Sequence, residues 1–227
     1  MAEPTFDETI AAMTGPANQR LGVLGAALSG TGVEVIAAFK DLQATLSALP
    51  GVGAAAASDI ERTRNEDSTP LEYRRRLERE RRSVAETMIP KLNGAAHATI
   101  ARIQAGLEEG LLPKPAKDST TRLLVRQELQ AAMAAHPGTT LDQVRNVIGQ
   151  NALWDGELVS SDYGRAILGK DLPAIRADAI AKWTSRADGT ERMQSSRKAL
   201  QVLRKTNPAG AVAAMEAAAR MHLSRVE

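Results

Sequence analysis

The sequence predicts an all-α protein: one or more multi-helix bundles of about ten helices, with a long central helical pair or kinked rod. Three observations predict it. Of 227 residues, 40 are alanine, which loses no side-chain entropy in a helix and lets helices approach closely. Only six residues are aromatic (Phe6, Phe39, Tyr73, Trp154, Tyr163 and Trp183), so the core is built from Leu, Ile, Val and Ala. Helix start and stop signals recur along the whole chain.

Thr5-x-x-Glu8 has the form of a capping box, and Phe6, Ile10 and Met13 follow at helical spacing until Gly15-Pro16 is expected to end the helix. A second helix is expected over about 17–28, turned by Gly30-Thr31-Gly32. The third carries Ile36, Phe39, Leu42, Leu46 and Leu49 on one side, with Pro50-Gly51 as its stop. Thr69-Pro70-Leu71-Glu72 is the clearest start: a capping threonine, proline at the first helical position and glutamate at the third. From there a helix reaches Ile89, and Pro90 either kinks it or begins the next. Leu92, Ala96, Ile100, Ile103, Leu107 and Leu111 form one stripe, and Gly110 supplies a stop. Shorter helices are expected over about 120–135, 141–149 (after Thr140-x-x-Gln143), 161–168, 172–186 (after Asp171) and 191–206 (after Asp188-Gly189-Thr190). The last begins at Asn207-Pro208 and turns Val212, Met215, Ala219 and Val226 inward. Residues 153–160 read as a short strand or loop, with Trp154-Asp155-Gly156 anchoring a turn beside Tyr163.

These signals divide the chain into an acidic helical unit (1–58), long charged helices (59–112), a proline-rich linker (113–118) and a basic helical domain (119–227). The net charge of +2 is unevenly spread. Residues 1–60 hold two basic groups against six acidic, residues 61–164 are balanced, and residues 165–227 hold twelve basic against six acidic. Two unlike ends suit docking on different partners.

Several chemistries have no residues to carry them. Without cysteine there are no disulfides, thiolate metal sites or thiol nucleophiles. His97, His136 and His222 are far apart and form no H-x-x-x-H pair, so no metal site is expected, and no cofactor either. The glycine-rich run from Gly22 to Gly32 lacks the lysine and hydroxyl of a phosphate loop and the preceding strand of a dinucleotide fingerprint; close helix packing explains its glycines. The carboxylates Glu108-Glu109, Asp155 with Glu157, and Asp162 read as solvated neighbours, and no G-x-S-x-G elbow occurs. An enzyme is not expected. Residues 1–14 hold three acidic and no basic residues, unlike a secretory signal, and the longest uncharged run, Leu21 to Val33, is too short for a stable membrane span. Synthesis in the cytoplasm is the expectation.

Two surfaces stand out as candidates for contact. On the arginine-rich helix, where six arginines and three glutamates lie between Glu72 and Arg82, Tyr73, Leu77, Val84 and Met88 fall within an arc of about 60°. So narrow a stripe suits a helix interface with one neighbour or another subunit. In the penultimate helix, Met193, Ser196, Leu200 and Leu203 form the inward side. There Arg197, Lys198, Arg204 and Lys205 share an adjoining arc without an acidic residue, a candidate site for an acidic partner or for nucleic acid.

In overall character (alanine-rich, free of cysteine, all-helical, with a rod, a proline linker and segregated charge) the chain is similar to minor structural proteins of tailed bacteriophages, such as connector, neck or internal virion components. No motif carries the likeness. It implies a non-enzymatic assembly protein acting as a multi-copy subunit, a homo-oligomer or part of a larger assembly, incorporated in a virion. The alternative is a nucleic-acid-binding helical protein that uses the basic stripe.

Overall fold

The computed structural model describes residues 6–62, 69–186 and 189–224, and among them every regular element is helical. The order is α1 (Phe6–Ala27), α2 (Val33–Arg62), α3 (Pro70–Leu111), α4 (Ser119–Ala134), α5 (Thr140–Val147), α6 (Ala152–Val159), α7 (Asp162–Leu168), a 3-10 turn (Gly169–Asp171), α8 (Leu172–Ser185), α9 (Glu191–Thr206) and α10 (Pro208–Ser224).

Contacts divide the chain into two units. The first comprises residues 1–27, 33–104 and 201–227. In it α1 packs against both α2 and α10. Leu21 and Leu24 of α1, Val35, Phe39, Leu42 and Leu46 of α2, Ile100 and Ile103 of α3, and Val212 and Met215 of α10 are buried. Burying each such side chain contributes about 1.5–3 kcal/mol. At Gly25 a Cβ would lie 2.9 Å from the Phe39 ring of α2, so glycine there serves close approach, whereas a Cβ on Gly22 would meet nothing within 4 Å.

Both proline stops are overridden. α1 continues through Gly15-Pro16, and α2 continues through Pro50-Gly51 to Arg62. An interior proline removes one backbone bond and costs about 3 kcal/mol. Downstream of Pro16, Leu21 and Leu24 bury enough to offset it. α3 is likewise one unbroken helix of 42 residues through Pro90, not a hairpin. Its start is the expected capping box: the Thr69 amide donates to Glu72 at 3.1 Å and the Glu72 amide to Thr69 Oγ1 at 3.3 Å. The Glu72 carboxyl is held below its usual range by the Thr69 hydroxyl and amide. On α2 the buried side runs through Val35, Ala38, Phe39, Leu42 and Leu46, while Ile36 faces outward; the Leu49 side chain lies outside the described residues, as do Thr5, Asp188 and Val226.

The second unit comprises residues 28–32 and 105–200. Its core gathers Leu112, Leu129, Met133, Val144, Val147, Ile148, Leu158, Val159, Leu168, Ile175, Ala179, Trp183 and Met193, with Trp154 and Tyr163 packed against it. The proline-rich segment 113–118 lies inside this unit, strapped onto α6: Ser160 Oγ donates to the Pro113 carbonyl at 2.9 Å. The capping box of α5 sits one residue earlier than the sequence suggests. Thr139 and Asp142 exchange the reciprocal bonds, while Gln143 reaches back to the His136 carbonyl. At α8, Asp171 makes no side-chain cap, because the 3-10 turn feeds directly into the helix.

Candidate functional site

Residues 152–159 form helix α6, neither strand nor loop. Asn151 starts it by accepting the Leu153 amide at 2.8 Å, and position 156 needs glycine because the strap crosses there. A Cβ on Gly156 would lie 2.5 Å from the Lys114 carbonyl. A similar approach occurs at Gly164 of α7, where a Cβ would lie 1.8 Å from the Leu158 carbonyl oxygen. Pressed on both sides, α6 carries two carboxylates into the interior. Asp155 and Glu157 are 0% exposed, which corrects the reading of this pair as solvated.

Two residues apart on a helix, they point to roughly opposite sides and serve different neighbours. Asp155 accepts the Gly149 amide at 3.0 and 2.9 Å on its two oxygens and the Trp183 indole N–H at 2.6 Å. It thereby fastens the α5–α6 turn to α8. Around it, Lys182 Nζ donates to the Ile148 carbonyl at 2.6 Å, and the Arg186 guanidinium lies 4.5 Å over the Trp183 ring while donating to the Gly149 carbonyl. Burial pushes the Asp155 carboxyl up to about 6, against the opposing pull of the Trp183 and Gly149 hydrogen bonds and the Lys182 and Arg186 charges.

Glu157 faces α4. It accepts from Arg122 Nε at 2.6 Å, Arg126 Nε at 2.8 Å and Ser161 Oγ at 3.1 Å. Burial raises its pKa, but the bonds from Arg122, Arg126 and Ser161 outweigh that and hold it below the usual value. Arg126 also lies 5.0 Å over the Tyr163 ring. A buried carboxylate with two guanidinium partners sets which face of α4 meets α6, since a rotated helix would strand the charge. With every contact to each carboxylate coming from a donor, and the two directed apart, Asp155 and Glu157 form no acid–base pair. Among the described residues no three His, Cys, Asp or Glu side chains converge in a way that would hold a metal ion.

The two contact surfaces read from sequence fare differently. The inward side of α9 is as expected, with Met193, Ser196, Leu200 and Leu203 all buried. On the basic arc, Arg197 is bound: its Nε and Nη2 donate to the Trp183 carbonyl at 3.2 and 3.0 Å, so this guanidinium ties α9 to the end of α8. Lys198, Arg204 and Lys205 are exposed. Of the helix-interface stripe, Tyr73 is half-buried and Met88 is 42% exposed, while the side chains of Leu77 and Val84 lie outside the described residues.

Lys205 also lines a cleft of about 550 Å³ in the first unit, together with Arg20 and Val23 of α1 and with Val202, Thr206 and Asn207. Arg20 is a member that the sequence reading missed. It lies 185 positions before Lys205, and no local pattern links the two.

No protein-family model, curated protein or solved structure matches the chain.

Proposed function

We propose that this chain is a non-enzymatic assembly protein that works in multiple copies, with the first half of α3 as a contact element between copies. One observation carries the reading. From Pro70 to Met88, about 28 Å of helix at 1.5 Å per residue, no described residue is buried. Leu71 is 59% exposed and Met88 42%. In proteins most helical stability comes from packing an apolar face against something rather than from propensity.

A second copy is the occupant that the charge pattern favours. Arg74, Arg75, Arg76 and Arg79 are exposed on α3, whereas residues 1–60 carry a net charge of −4. Unlike patches on identical subunits suit head-to-tail contacts, which close into rings or extend. The narrower form of the proposal, a minor component of a tailed-phage particle, rests on the overall character of the sequence. The alternative, nucleic-acid binding through the α9 arc, keeps Lys198, Arg204 and Lys205 and gives up Arg197 to the Trp183 carbonyl.

Sedimentation velocity and native mass spectrometry across a wide concentration range test the proposal. Oligomers are expected, with their population falling in an L71S/M88S variant. A strict monomer at every concentration sinks it. Detection of the chain in purified virions tests the narrower form.

A further inference from the structure

We propose that the cleft formed by α1 and the α9–α10 junction binds a phosphate group. Its polar lining offers donors. Arg20 and Lys205 are exposed, and neither makes a hydrogen bond or ion pair with another described residue. Thr206 spends its hydroxyl proton on the Val202 carbonyl at 2.9 Å. Asn207 turns its Oδ1 to the Gly210 amide at 3.0 Å, so its amide Nδ2 remains as a third donor. Among the described residues that line the cleft there is no carboxylate. A guanidinium and an ammonium flanking one space, with an amide beside them and no acid, match a dianion: the guanidinium offers a fork for two oxygens, the ammonium a point charge.

Asn207 adds an observation of its own. It is the single residue between α9 and α10 and sits at φ 43°, a conformation that glycine adopts at no steric cost. Asparagine at this position caps α10 through its oxygen and still presents an N–H₂ group, which glycine lacks. The described lining also holds no aromatic side chain to serve a nucleobase as a stacking platform, so the phosphate is what the cleft recognises. Its volume lies within the range of small-ligand sites. The phosphate comes either from a small phosphorylated molecule or from a nucleic-acid backbone.

Isothermal titration of the full-length chain at low salt separates these sources, with inorganic pyrophosphate, a 20-nucleotide single strand and a poly-glutamate peptide as probes. Binding of pyrophosphate or of the oligonucleotide is expected, weakened about a hundredfold in R20Q/K205Q, at about tenfold per cation. R20K retains most of the affinity, N207G loses a few-fold, and K170Q, on the other unit, changes nothing. Circular dichroism checks that each variant is folded. Pyrophosphate binding assigns a small ligand. Oligonucleotide binding alone, with a salt slope that falls by about 1.4 in R20Q/K205Q, assigns a backbone. Failure of both phosphate probes overturns the proposal, as does binding indifferent to R20Q/K205Q, or poly-glutamate binding as tightly as the phosphates. None of these outcomes depends on whether the chain assembles.

Discussion

Arginine does opposite work in two regions of this molecule. In the second unit, Arg122 and Arg126 converge on the buried Glu157, and Arg197 reaches the Trp183 carbonyl. Along the first half of α3, Arg74, Arg75, Arg76 and Arg79 stand on an exposed surface. The residue type is the same, and the difference lies in what the neighbouring helix brings. A desolvated carboxylate makes each guanidinium answerable for the orientation of a helix, because a mispaired charge in the interior is costly. Solvated arginines leave helix orientation unspecified and serve solubility or an outside partner. Stability is therefore expected to be concentrated in the packing around α6, and sensitivity to assembly along α3.

The most severe way to break the contrast is at Gly164. A methyl group there meets the Leu158 backbone, which cannot give way without moving α6, so G164A is expected to cost more than about 3 kcal/mol. Chemical denaturation should show a large loss of midpoint. Wild-type stability in G164A would mean that α6 and α7 are loosely joined and that the comparison is wrong.

The pH dependence of Asp155 gives a smaller, signed effect. Its folded value of about 6 lies above the ordinary 3.8, so the folded protein holds more protons than the unfolded chain between about pH 4 and 6. Stability from this group therefore falls as pH rises through that window, by at most about 3 kcal/mol, and is lowest once the carboxyl is ionised. Carboxylates such as Glu157 and Asp142 run the other way, contributing stability that is lost as pH falls through their depressed values. Comparing the Tm of wild type and D155N from pH 4 to 7.5 isolates the Asp155 component. The difference should slope between 4 and 6 and flatten above; parallel curves would refute the assignment.

The smallest effect belongs to α3. Replacing Leu71 and Met88 by serine is expected to change monomer stability by less than about 0.5 kcal/mol, because neither is buried within the chain. A large loss in the thermal unfolding of dilute protein would place these side chains in an intramolecular core and erase the contrast.

What the sequence disclosed follows from how local each signal is. The Thr69–Glu72 box, the Asn207 start and the inward side of α9 are written within one or two turns, and all three appear as read. Gly15-Pro16 is a local signal too, but weaker than the burial of Leu21 and Leu24 just beyond it. The Asp155 and Glu157 environments needed partners 28 to 35 positions away. The available hint was compositional: two carboxylates inside the otherwise apolar Leu153–Val159, opposite two arginines spaced i,i+4 on α4. Arg20 and Lys205 left no such hint.

The strap onto α6 has a consequence for the order in which the protein is made. Pro113 and Lys114 leave the ribosome about forty residues before their seat on Gly156 and Ser160 exists, and Arg122 precedes its carboxylate by 35. α6 in turn must wait for Trp183 before Asp155 is fully satisfied. During synthesis of the second unit, α6 is thus the late arrival that claims what came before it. A nascent chain stalled between residues 118 and 152 presents its strap with nothing to hold it.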